Sequence, residues 1–305
     1  MEKDKSQCRI AVIFFAFNRP HKLKETIRSY KKCSERQLSD IFVFVDGARN
    51  ENDKEKINEC LFVTTTELPA ATISVRDYNL GLKQSIWQGV TEVLSKYDAA
   101  IVIEDDLELA PDFYRYMRAG LERYQFEDKV CQISGFNYLG NGSNSKDCFF
   151  LPLTTSWGWA TWARAWRDFS VEDTLSLKNL SLEERKFNLE GSFPFLSMLK
   201  KEADGKVNSW AIRWYLYSFL HNRLTLYPPT TMVNNDGFDS SGTHAANKSG
   251  SLFSQVEVSV LSEIRYPADV DIDKIQLSLL ICKFNKFKTK VLWNKFVSYF
   301  RILFN

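Results

Sequence analysis

Three carboxylates stand in a row in "AAIVIEDDLELAPDFYRYM", residues 99–117: Glu104, Asp105 and Asp106, directly after an apolar run. Side chains alternate along an extended segment, so Glu104 and Asp106 share one face while Asp105 takes the other. Anions this close to a core raise one another's pKa unless a cation or strong donors sit among them. A hard divalent ion such as Mg²⁺ or Mn²⁺, held by one or two carboxylates and completed by substrate phosphates and water, supplies that charge. The plainer account is an acidic run that ends a strand and opens a helix, where carboxylates suit the N-terminal dipole.

The elements around the triplet decide how it is presented. "CRIAVIFFAFNRP" is a continuous apolar run broken at Asn18 and Pro20, and "HKLKETIRSYKKC" follows with Leu23, Ile27 and Tyr30 at helical spacing. "DIFVFVDGARN" repeats the strand and ends at Asp46-Gly47; "ATISVRDYNLGLKQSIWQGVTEVLSKY" gives a short strand, a polar loop and a helix; "AAIVIEDD" is a further buried strand. Fully apolar strands alternating with helices predict an α/β fold with a mainly parallel sheet, helices on both faces and ligands beyond the strands' carboxyl ends. Asn18, Arg19, Asp46, Asn79 and Glu104 to Asp106 fall at those ends and are expected to line one rim. After Pro111, the positions Phe113, Tyr116, Met117, Gly120, Leu121 and Tyr124 form one apolar helix face.

At these residues the chain resembles glycosyltransferases of the GT-A fold, specifically the GlcNAc-transferase I family. "VIEDDLELAPDFYRYM" is similar to an E-D-D-L-E-x-A-P-D-F segment of that family. "AVIFFAFNRP" and "FVFVDG" resemble its first two nucleotide-binding strands, and "NLGLKQSI" its N-x-G loop. "CQISGFN" and "WGWATWARAW" fit later acceptor-side segments, so the likeness runs from about residue 10 to 245. It implies that Asp106 ligates the metal, that Glu104 and Asp105 contact the ribose or sugar of the donor, and that Asp46 binds uracil or ribose. One departure stands out. The family places its acceptor-activating carboxylate in a W-D-D-W run, where this chain has "SWAIRW", with Ala211 and Ile212 in the matching places. Asp239, Asp236 or Asp204 is left to deprotonate the acceptor hydroxyl, or the reaction is retaining and uses no such base.

Other residues fit a nucleotide-sugar site. Arg19 and Asn18 suit uracil or phosphate as donors, and Arg76, Asn79 and Lys83 suit the donor phosphates; each also has an ordinary reading as turn or surface charge. Trp157, Trp159, Trp162 and Trp166 fall within ten residues. Aromatics at this spacing usually pack a core, but a sugar stacks well on indole, and Trp157 or Trp159 is expected to touch donor or acceptor. "NNDGFDSSGTHA", 234–245, reads as a loop that orders over substrate, with His244 able to ligate the metal or donate to the diphosphate.

From Lys274 to Asn305 there are seven Lys and Arg residues and no Asp or Glu, interleaved with Phe284, Phe287, Trp293, Phe296 and Phe300. That pattern predicts a basic amphipathic helical tail lying on an anionic membrane surface, or a terminal helix packed on the domain with its lysines outward. The domains expected are a GT-A unit over 1–267, with a nucleotide-sugar half at about 8–128 and an acceptor half at about 129–267, and the tail at 268–305. The balance of 40 basic against 38 acidic residues gives no sign of a nucleic-acid partner. Six scattered cysteines suit free thiols in a cytoplasmic protein, and the charged N-terminus has no apolar signal region. The sum is a metal-dependent transferase, using Mn²⁺ or Mg²⁺, that moves a hexose or N-acetylhexosamine from a UDP-sugar to a glycan or lipid-linked glycan. Surface polysaccharide or lipooligosaccharide synthesis on the inner face of a bacterial membrane fits best. Alternatives are a nucleotidyltransferase, although "FFAFNRPHK" lacks the glycines of a phosphate loop, and a non-catalytic sugar-nucleotide or glycan-binding module.

Overall fold

A computed structural model describes residues 8–143, 145–172, 180, 183–236, 258, 260–261 and 263–303, with side chains up to Lys290 apart from Asn141. The apolar run at the N-terminus forms β1 (Ile10–Ala16), buried at every position. Pro20 opens α1 (Pro20–Lys31) at a position whose N–H needs no partner. Then come β2 (Asp40–Val45), α2 (Glu51–Glu67), β3 (Thr72–Val75), α3 (Gly81–Leu94) and β4 (Ala99–Glu104). Asn50 caps α2 by accepting from the Asp53 N–H. The second half continues with β5 (Leu107–Leu109), α4 (Phe113–Arg123), β6 (Val130–Ser134), β7 (Phe149–Leu151), β8 (Trp159–Trp162) and α5 (Ala163–Trp166). It closes with α6 (Glu184–Phe187), α7 (Phe195–Ala203), α8 (Trp210–Leu220), β9 (Leu224–Tyr227), β10 (Val233–Asn235) and α9 (Lys274–Leu303).

Eight strands form one sheet in the order β3-β2-β1-β4-β8-β6-β9-β7, with β7 and β8 antiparallel to their neighbours and the rest parallel. This is the mainly parallel α/β sheet of a GT-A-like fold. Alternation along β1 divides the core: Ile10, Val12 and Phe14 pack with α1, α2 and α4, whereas Ala11, Ile13 and Phe15 pack with α3, α5 and α8. A third apolar cluster joins β7, α6, α7 and α8 to the first half of α9 through Leu280 and Phe284. α4 buries the face expected from its spacing, Phe113, Tyr116, Met117, Gly120 and Leu121.

The tryptophan-rich stretch departs from simple helical spacing. It is strand then helix, so Trp159 and Trp162 project from opposite faces of β8 into different clusters. All six cysteines are free, five of them buried. None of the described helices is long and apolar enough to cross a membrane.

Candidate active site

The chain runs from β1 outward to β2 and β3, then returns to place β4 on the other side of β1. In an open parallel sheet that reversal opens a crevice between the carboxyl ends of the two strands. Arg19 follows β1 and the carboxylate triplet ends β4, so the two meet across it. Arg19 Nη1 donates to Asp106 Oδ2 at 2.9 Å and Nε to Asp105 Oδ2 at 3.3 Å, while Nη2 donates to Asp105 Oδ1. Burial disfavours the charged guanidinium, yet the two carboxylates hold its proton more firmly than usual. Burial pushes Asp105 up to about 6 against the pull of Arg19. Glu104, opposed by burial and then by Asp106 and Asp105, binds its proton well above the usual carboxylate range. Three carboxylates thus share one guanidinium among the described side chains here.

The acceptor half reaches the same point. β10 pairs antiparallel with β5, setting Asn235 opposite Leu107. The Asp236 N–H donates to the Asp106 carbonyl at 2.9 Å, and Asn235 Nδ2 lies 3.4 Å from Asp106 Oδ1. Asn235 escaped the sequence reading, although the turn-rich "NND" after an apolar pair marked the spot. Asp236 directs its carboxylate to Lys22 Nζ of α1, at 2.5 Å.

The other predicted contacts divide. Asp46 is buried and accepts four N–H groups, from Gly47, Asn79, Leu80 and Gly81, all between 2.8 and 3.0 Å. It clamps the 76–81 loop onto the end of β2, and the Asn79 amide also donates to the Gly47 carbonyl. Gly47 permits the clamp, since a Cβ would meet the Tyr78 carbonyl carbon at 2.3 Å. Asn18 donates to Asp53 at 2.6 Å, tying β1 to the start of α2. Arg76 lies over the Phe44 ring and pairs with Glu92 of α3, away from the crevice. Lys83 pairs at 2.9 Å with Glu202, whose fully buried carboxylate also receives Arg213 at 2.6 Å. In this conformation Asn18, Asp46, Arg76, Asn79 and Lys83 each make a contact within the protein, as Arg19 and Asp105 do. Asp239 and His244 lie outside the described residues.

A cavity of about 510 Å³ opens beside Arg19, Glu104 and Asp106. Trp157 lines it, half-buried, with its ring edge-on to Phe136 at 4.6 Å. Trp159 does not: it is fully buried between Trp166 and Trp210. Ala211 and Ile212 line the cavity as apolar surface. Of the described carboxylates, only Glu104 and Asp106 are in its wall.

The GNT-I family model matches residues 1–170, and none of the curated proteins compared matches the chain. Among solved structures, GalNAc-T7 with UDP, GalNAc and Mn²⁺ aligns at TM-score 0.49 and 12% identity, over 76% of this chain and 44% of that one. Mannosyltransferase PcManGT from Pyrobaculum calidifontis, in complex with GDP-Man and Mn²⁺, aligns at 0.37 and 13%, over 51% and 45%. Glucosyl-3-phosphoglycerate synthase from Mycobacterium tuberculosis, with Mn²⁺, UDP and glucosyl-3-phosphoglycerate, gives 0.36 and 14%, over 52% and 58%. The chain thus spans about half the length of these structures. The family match covers 170 of 305 residues and includes β1, the Asp46 clamp, the acidic triplet and the Trp157 segment; the chain belongs to the GNT-I family of glycosyltransferases.

Proposed function

We propose that the chain is a metal-dependent transferase that moves a hexose or N-acetylhexosamine from a UDP-sugar to a glycan or lipid-linked glycan acceptor. The observation carrying this reading is the Arg19–Asp105–Asp106 contact, with Glu104 beside it, at the β1–β4 crevice and at the mouth of a sugar-sized cavity.

The site suits a divalent cation. Its donors are hard carboxylate oxygens, and Glu104, Asp105 and Asp106 bring three such groups together around the one guanidinium of Arg19. An ion here would be held by one or two carboxylates and completed by the donor's diphosphate and water. Asp106 would hold it; among the described residues its Oδ1 accepts from Asn235 Nδ2 at 3.4 Å. His244 is a second candidate ligand. When bound, the ion would neutralise the diphosphate as it leaves.

The chain's own residues would do the rest. Arg19 would donate to the donor phosphates, and Glu104 and Asp105 would meet the ribose or sugar. Trp157 would offer a face for stacking. The acceptor oxygen would form the new glycosidic bond as the anomeric carbon–oxygen bond to UDP breaks, and the acceptor proton would pass to a carboxylate. Asp236, which would exchange Lys22 for the acceptor hydroxyl, and Asp239 are the candidates for that role if the reaction inverts the anomeric centre.

Surface polysaccharide or lipooligosaccharide synthesis at the inner face of a membrane is the setting that a lysine-rich α9 supports. UDP release from a panel of UDP-sugars, with Mn²⁺, Mg²⁺ or chelator, tests the activity. Metal-dependent UDP release is expected; UDP-sugar binding with no turnover under any acceptor would instead make the chain a binding module, the reading that Ala211 and Ile212 favour.

A further inference from the structure

The cavity has a wall of mixed character, polar on part of its surface and apolar over most of it. Beyond Arg19, Glu104 and Asp106, hydroxyl and amide groups enter from Thr154–Ser156, Asn208, Ser209 and Asn235, but most of the wall is aromatic or aliphatic, including Tyr138, Phe193, Phe195 and Met198. One wall residue comes from the far end of the chain. Phe284 of α9 is buried, with its ring 5.6 Å from that of Tyr138, 5.1 Å from Phe193 and 6.4 Å from Phe195. The same helix fastens the two loops that carry these rings: Lys283 Nζ donates to the Tyr138 carbonyl and Lys288 Nζ to the Gly191 carbonyl at 3.1 Å. Burial lowers the proton affinity of Lys283, so holding an ammonium there carries a cost that the carbonyl bond offsets. α9 is therefore part of the cavity, not an appendage to it.

A wall of this composition suits a ligand with an apolar portion, because aromatic rings around a desolvated space reward hydrocarbon and leave surplus hydroxyls unpaired. The volume of about 510 Å³ is within the range of pockets that enclose drug-sized ligands. We propose that this cavity is an acceptor subsite for an amphiphilic glycoside, taking the hydrocarbon next to the sugar between Phe284, Tyr138, Phe195 and Met198, with the reacting hydroxyl toward Glu104 and Asp106. This deepens the transferase reading and rests on it only for the position of that hydroxyl. Segment α9, which runs on from Phe284 toward the C-terminus, makes the subsite depend on the same helix that would meet a lipid surface.

Calorimetric titration of the full chain with octyl β-glucoside below its micelle concentration, against methyl β-glucoside, tests the subsite without any donor. Full burial gives about fourfold per methylene, so octyl glucoside is expected to bind at least about tenfold more tightly than methyl glucoside. Phe284→Ala should remove most of that preference. Met198 is 38% exposed, so Met198→Trp narrows the cavity at low risk to folding and should remove it too. Equal binding of the two glycosides overturns the proposal, as does an octyl preference that survives Met198→Trp, which would place the chain length's effect elsewhere. An octyl preference lost in that variant, in a protein that releases no UDP from any donor, upholds the subsite and instead defeats the transferase reading.

Discussion

Replacing Asp106 by Asn keeps the side chain's shape but removes the charge proposed to hold the metal. UDP release should fall by about a hundredfold or more, the scale on which single electrostatic groups act in such reactions, and added Mn²⁺ should not restore it. Arg19 tests the opposite side of the same charge balance. With Arg19→Met, two buried carboxylates lose their guanidinium, an imbalance that should cost about 3 kcal/mol in urea denaturation. If the crevice accepts a divalent ion, Mn²⁺ should then raise the melting temperature of Arg19→Met more than that of the parent. Equal shifts would mean that the ion does not bind at these carboxylates.

At the scale of elements, the loop after β3 has no regular structure of its own and depends on Asp46. Two backbone N–H groups of that loop and the Asn79 amide end on this one carboxylate. Charge-assisted bonds of this kind contribute roughly 1.5–3 kcal/mol each before coupling, so Asp46→Ala should destabilise the domain by about 3 kcal/mol or more. Hydrogen exchange should locate the added opening at residues 76–81, not uniformly over the sheet. Gly47→Ala should reproduce the local effect through a steric route, since its Cβ would overlap the Tyr78 backbone. The junction of α3, α7 and α8 is held differently, by Lys83 and Arg213 converging on Glu202. Glu202→Gln should cost about 3 kcal/mol by thermal denaturation, because it leaves two cations facing a neutral amide.

For the whole molecule, α9 predicts two distinguishable truncations. Removing residues 291–305 takes away Trp293, Phe296 and Phe300 but spares Leu280 and Phe284, which are buried in the third cluster. This form should melt with the parent yet sediment poorly with anionic vesicles, and the parent's own sedimentation should weaken with salt. Removing everything from residue 274 also strips the buried apolar side chains of Leu280 and Phe284 from the core, at roughly 1.5–3 kcal/mol each, and should lower stability as well as vesicle binding. Vesicle binding unchanged by either truncation would rule out the tail as a membrane contact.

By itself the sequence determined whatever local periodicity and charge could express. Runs such as IAVIFFA and AAIVIE, short, rich in β-branched or aromatic residues and bounded by polar ones, suit interior strands, and the α4 face was legible because its side chains repeat at helical spacing. The triplet's shortage of positive charge was legible too, since neighbouring carboxylates repel wherever they fold. What only the tertiary structure decided was which partners the polar groups meet within the protein. Asp46, Asn79, Asn18 and Lys83 stand out along the chain as polar residues at strand ends and loops, and the partners they meet come from 32 to 119 residues away or from a reversed loop. The cavity was equally hidden, because its wall joins Phe136, Phe195 and Phe284, each unremarkable locally and brought together only when α9 folds back onto the acceptor half. Periodicity reports which face of an element is buried; it carries no information about what that face meets.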